Sequence, residues 1–176
     1  MKKEARLYNL FFPLWFVLLY SPLHWIWLLP ANFIVDLLVI VITLRILHAE
    51  DRKLKAKKSI WKVWILGFIA DIIGGALLFF SSLFIGEWVE NYASEALRTW
   101  WSNNLLNAMY DPFMSFPAFV LVLLCVAVTS MLIYLFNMKL CLKKAITDKI
   151  ERRKIALALA VFTAPYTFLI PTPLIG

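Results

Sequence analysis

Charge is scarce in this chain of 176 residues: 16% of it is charged and 62% hydrophobic, where a soluble domain carries about 25% and 45–50%. A globule in water could not hide that much apolar surface. A secreted, cytosolic or nucleic-acid-binding globule is therefore excluded, and lipid becomes the expected solvent. Cysteine is nearly missing. Cys125 and Cys141 are the only two, too few for a disulfide scaffold and too far apart in sequence to read as a redox pair. Histidine is equally rare. His24 and His48 make a weak basis for a metal site, and no H-E-x-x-H occurs. The chain also lacks a Walker-type phosphate loop and a G-x-S-x-G nucleophile elbow. No metal or cofactor can be named.

What is abundant is long apolar runs. A membrane-spanning helix needs about 20 mostly apolar residues. Five stretches approach that length, over residues 7–29, 31–48, 60–85, 114–137 and 155–175. The expected fold is all-α: a single transmembrane domain over residues 1–176, built as a bundle of five transmembrane helices. Pro30 separates the first two with almost no loop, which predicts a tight helical hairpin, because proline cannot continue a helix without losing a hydrogen bond. The opening MKKEAR followed by an apolar run imitates a signal peptide. No small-x-small cleavage site follows, so the first span is expected to be uncleaved.

Seventeen of the eighteen Lys and Arg residues fall in three segments. The N-terminus holds Lys2, Lys3 and Arg6. The junction of spans two and three runs from Arg45 to Lys62, and that of spans four and five from Lys139 to Lys154. Only Arg98 lies elsewhere, in a loop that also carries Glu87, Glu90, Glu95 and Asp111. The positive-inside rule then places the N-terminus in the cytoplasm and the 86–113 loop and the C-terminus outside, in the cell membrane. Trp25, Trp27, Trp88, Trp100 and Trp101 would form the outer aromatic belt, Trp61 and Trp64 the inner one. Cys141, among Lys139, Lys143 and Lys144, is expected to meet thiol reagents from the cytoplasmic side only, and Cys125 from neither side.

Residues 89–109 follow i, i+3, i+4 spacing of apolar side chains and predict one amphipathic helix on the outer surface, serving as a lid or a docking face. The Lys139–Lys154 cluster suits acidic lipid headgroups at the cytoplasmic face, beyond its part in setting topology. The bilayer is the expected partner, with assembly as a homo-oligomer or within a larger membrane complex left open, and no nucleic acid.

Ionisable groups at membrane depth are costly, at least about 2.5 kcal/mol each on insertion scales. His24, Asp36 and Asp71 stand out. If Pro30 is a hairpin turn, His24 and Asp36 share a level about 9 Å below the outer end. Asp71 lies near the midplane, so the three could meet in one pocket. Asn32 shares a face with Asp36. Gly67, Ala70, Gly74 and Gly75 surround Asp71 with small residues that let another backbone come close, span two being the expected neighbour. The segments NFIVDLL (32–38) and GFIADII (67–73) resemble each other as an inverted repeat would, although chance explains such likeness readily in so apolar a chain.

Three functions fit these residues. One is transport or permeation, with Asp36 and Asp71 facing a polar cavity and binding a cation or proton. The second is a membrane enzyme whose paired acids share acid–base work. The motifs of intramembrane aspartyl proteases and lipoprotein signal peptidases, G-x-G-D and N-x-x-A-D, are absent. The third is an accessory, immunity or assembly protein in which the acids fasten helices. A cavity reaching Asp71 would favour the first.

Overall fold

A computed structural model describes residues 22–106, 108 and 110–171. Among them every regular element is helical. Helix α1 is Pro22–Ile46, α2 Arg52–Tyr92, α3 Glu95–Asn104 and α4 Phe116–Phe136. A π-helical turn, Asn137–Cys141, follows α4. Helix α5 is Lys149–Phe162, and a 3-10 turn, Tyr166–Leu169, comes after it. Most of the expected first span, with Trp15 and the N-terminal basic residues, lies outside the described residues.

Among the described residues, three helices are long and apolar enough to cross a membrane: the Leu28–Ile46 part of α1, α2, and α4 with its π turn. Their large side chains point mostly away from the bundle. Ile34, Leu38 and Ile42 on α1, Ile65, Ile69 and Phe80 on α2, and Leu124, Val128 and Met131 on α4 are all exposed. In water such a surface would aggregate; in lipid it is the expected exterior.

Helix α1 runs unbroken through Pro30. The hairpin expected there is not formed. Transmembrane helices tolerate an internal proline because neighbouring groups re-satisfy the freed backbone. Beside Pro30 the Leu29 carbonyl, which is not the one that this proline deprives of a donor, accepts the Trp64 indole N–H at 3.1 Å. The Trp61 and Trp64 rings, expected in an aromatic belt, both pack on Phe33. The chain reverses instead over residues 47–51, where His48 and Asp51 adopt left-handed backbone conformations.

Helix α2 is 41 residues long, about 60 Å, twice the thickness of a bilayer's hydrocarbon core. Its last turns, with Glu87 and Glu90, continue through the start of the amphipathic helix expected over 89–109. That element is divided. Helix α2 ends at Tyr92, Ser94 caps α3 by accepting the Leu97 N–H, and α3 folds back so that Trp101 is buried against Gly86. The apolar face anticipated for it is only partly covered, since Tyr92, Leu97 and Trp100 are exposed. Asp111 then turns the chain by accepting the Phe113 N–H, and Ser115 caps α4.

The expected fifth span also differs. Helix α5 has 14 residues, about 21 Å, short of the roughly 30 Å a span needs. Asp148 caps its start, accepting the Ile150 and Glu151 N–H groups. Pro165 disfavours helix for the residue before it, and the chain becomes irregular at Thr163–Pro165.

Both basic junctions lie at one end of the bundle. Lys55 makes an ion pair with Glu151 at 2.9 Å, the two side chains being 21% and 13% exposed. Ile40, Leu44, Ile60, Val63, Leu142, Ile155 and Leu159 form the main core beside it. Cys141 is buried within that core, 1% exposed, its thiol donating to the Lys62 carbonyl. It is not the surface thiol expected from its basic flanks. A smaller core joins Leu78, Val122, Val126, Ala164 and Phe168 further along α2 and α4.

Small residues on α2 serve two neighbours rather than one. Gly67 faces Asp36 of α1, whereas a Cβ on Gly74 would overlap the Thr129 hydroxyl of α4. Thr129 cannot easily yield, because it is fully buried and bonded to the Cys125 carbonyl at 2.8 Å. Gly74→Ala is therefore expected to destabilise the protein by about 1–3 kcal/mol. Adding Thr129→Ala should recover part of that loss. A double-mutant cycle of melting temperatures in detergent checks the pair, and strictly additive effects would show that the two positions do not touch. With Cys125 and Cys141 replaced by alanine, single cysteines at the exposed positions Lys144 and Ser94 should label from opposite faces of a proteoliposome. Labelling from the same face would refute the arrangement of α2 and α4.

Candidate functional site

Three segments meet around a cavity of about 300 Å³. Helix α1 contributes Leu28, Ala31, Asn32 and Val35, which share one face by i, i+3, i+4 spacing. Helix α2 contributes Phe68, Asp71 and Ile72 in the same way. The third wall is the C-terminal end of α5 and the irregular chain after it, from Phe162 through Phe168. The polar side chains of the lining are Asn32, Asp71, Thr163 and Thr167, and Asp71 is the ionisable one among the described lining residues.

Asp71 and Asp36 are placed unusually. Asp36 is 3% exposed and sits one helical turn along α1 from Asn32. Oδ2 of Asp36 and Oδ1 of Asp71 are buried and have no hydrogen-bond partner among the described residues. The two carboxyls are close enough to act on each other electrostatically. Lys55–Glu151 is the one ion pair among the described residues, so neither acid has a cationic partner there. Several hydroxyls elsewhere are bonded, as buried polar groups ordinarily are, although the buried Ser82 hydroxyl has no partner among the described residues. Ser59 donates to Lys55 O, Thr129 to Cys125 O and Thr163 to Leu159 O.

Of the residues singled out from sequence, Asn32 and Asp71 come together at the cavity, and Asp36 stands beside them. His24 is not at the level of Asp36. It lies on the same continuous helix as Asp36, twelve residues away, about 18 Å along the axis, and its side chain is outside the described part of the structure. Gly67 gives Asp36 room, Ala70 belongs to the main core, Gly74 meets α4, and Gly75 is buried. NFIVDLL and GFIADII thus contribute one acid each to adjoining antiparallel helices.

Thr163 and Thr167 were not legible as site residues, because residues 155–175 read as one continuous span. The signal available was Pro165 inside that run, which marks where helix must fail. No group of three or more His, Cys, Asp or Glu side chains is arranged to hold a metal ion among the described residues.

The chain matches no protein-family model, no curated protein and no solved structure.

Asp36→Asn and Asp71→Asn each keep volume and hydrogen-bonding capacity while removing a carboxyl that has an unpartnered oxygen. Neither should lower the melting temperature appreciably, since interhelical hydrogen bonds average only about 0.6 kcal/mol. A loss of about 3–5 kcal/mol in either variant would reveal a buried cationic partner.

Proposed function

We propose that the chain is a small integral membrane protein of transport or permeation, with the Asp71 cavity as its site for a cation or proton. The observation that carries this reading is the meeting of a carboxylate with interrupted helix around one cavity. Ionisable groups inside a membrane mark ion and substrate paths. Irregular backbone at that depth is tolerated where it is buried or lines a cavity, and broken helices frame the sites of many transporters.

In this reading α1, α2 and α4 cross the cell membrane. Helix α5 enters from the basic end and stops part-way. The basic end faces the cytoplasm, together with Lys2, Lys3 and Arg6, against acidic headgroups. The α2–α4 connection and the C-terminal end are directed outward.

A membrane enzyme using Asp36 and Asp71 as a pair is the second reading, favoured by the electrostatic contact of the two acids. It ranks lower because only Asp71 lines the cavity, whereas paired acid–base work needs both carboxyls at the reacting group.

The purified chain in proteoliposomes should pass protons or monovalent cations down an imposed gradient, as read by an internal pH dye and by ion-selective fluorophores. Asp71→Asn should lower the flux at least about tenfold with the melting temperature nearly unchanged. Flux equal to that of empty vesicles, or flux indifferent to Asp71→Asn, would overturn the proposal.

A further inference from the structure

The cavity is built for more than a bare ion. Its roughly 300 Å³ is in the range of small-molecule sites, and apart from Asp71, Asn32 and two threonines its lining side chains are apolar. A proton or bare monovalent cation at Asp71 would use only one corner of that wall. Hard cations are held by shells of oxygen, six to eight for calcium, and this wall offers few.

The sign of charge is set by three features. Asp71 is the ionisable lining residue, and no Lys, Arg or His is among the described residues that line the space. The C-terminal end of α5, at Phe162 and Thr163, borders the same space, and the last carbonyls of a helix carry partial negative charge. Asp36, without a cationic partner among the described residues, adds its influence on Asp71. An anion would meet repulsion from Asp71 and from the helix end, and no cationic side chain among the described lining residues would offset it.

The unpartnered buried Oδ1 of Asp71 specifies the missing chemistry, because a buried acceptor left unpaired is costly and a donor would satisfy it. The Asn32 side-chain carbonyl can accept a second N–H. The Phe68, Phe162 and Phe168 rings supply the faces that attract both cations and flat apolar groups.

From this we infer that the cavity framed by Asp71, Asn32 and the α5 C-terminus binds an amphipathic organic ammonium, a primary amine with an apolar, preferably aromatic, body. The inference rests on the transport reading for the identity of the site, and it names the class of compound that site takes. The ammonium pairs with Asp71 and Asn32 beside the α5 carbonyl end. The apolar body lies along Val35, Ile72 and Phe162.

Three probes of one shape separate the contributions: biphenyl-4-ylmethylammonium, its neutral isostere 4-ethylbiphenyl, and the anionic biphenyl-4-acetate. Binding is measured by calorimetry on the full chain in lipid nanodiscs, with empty nanodiscs as the partition control. The ammonium should bind at least about tenfold more tightly than the neutral probe, a margin expected of a desolvated charge-assisted hydrogen bond, and the anion should not bind above the control. Asp71→Asn should erase the ammonium's advantage and leave the neutral probe unchanged. Phe162→Ala, at an exposed ring whose loss should not disturb folding, should weaken both bound probes alike. Equal affinity for ammonium and neutral probe, or an advantage that survives Asp71→Asn, would overturn the inference. Ammonium binding without any flux supports it and overturns the transport reading instead. Flux that depends on Asp71 without ammonium binding overturns this inference alone.

Discussion

An apolar exterior leaves polar groups no solvent to fall back on, and the architecture follows from that constraint. Ile34, Leu38, Phe80, Leu124 and Met131 face outward, so hydrogen bonds must be made inside the chain. Helix starts are closed by Ser94, Ser115 and Asp148. Ser59, Thr129 and Thr163 return their hydroxyls to carbonyls one turn back on the same chain. Buried side-chain atoms without a partner among the described residues occur at Ser82, Trp101, Asn137 and Arg152 as well, but Asp36 and Asp71 are the carboxyls among them.

The cavity beside Asp71 exists because α5 stops. A helix continued past Phe162 would carry its own backbone bonds through that space. Pro165 forbids this, and the chain turns at Thr163–Leu169 to bury Ala164 and Phe168 against Leu78, Val122 and Val126. The close approach of Gly74 to Thr129 holds α2 against α4 one turn beyond Asp71, so the remaining room opens on the α1 and α5 side. Packing and chemistry are thus coupled at neighbouring positions of α2: glycine at 67 accommodates Asp36, aspartate at 71 lines the cavity, and glycine at 74 secures the next helix.

Charge divides the molecule by length rather than by layer. At one end the 45–62 and 139–154 segments are drawn together by Lys55–Glu151 and by the core of Ile60, Leu142 and Ile155. That partly screened pair contributes modestly to stability, yet it ties the start of α2 to the start of α5. At the other end α2 outruns the thickness of a bilayer core and exposes Glu87 and Glu90. Trp101 against Gly86 fastens α3 to that extension.

Composition and periodicity by themselves determined the apolar, membrane-compatible character, the all-helical content, the bounds of α4 and the two basic junctions, and they singled out Asn32, Asp36 and Asp71 as candidates. These are properties of transfer free energy and of spacing along one helix, and both are local. Tertiary structure alone decided that α1 passes straight through Pro30, separating His24 from Asp36. It also decided that the amphipathic segment breaks at Ala93–Ser94, that Cys141 is buried despite its basic flanks, and that the apolar run at 155–175 stops at Phe162. Each of these turns on which neighbour satisfies a backbone group or covers a side chain. A proline in an apolar run reads the same whether the helix continues through it, as at Pro30, or ends shortly before it, as at Pro165.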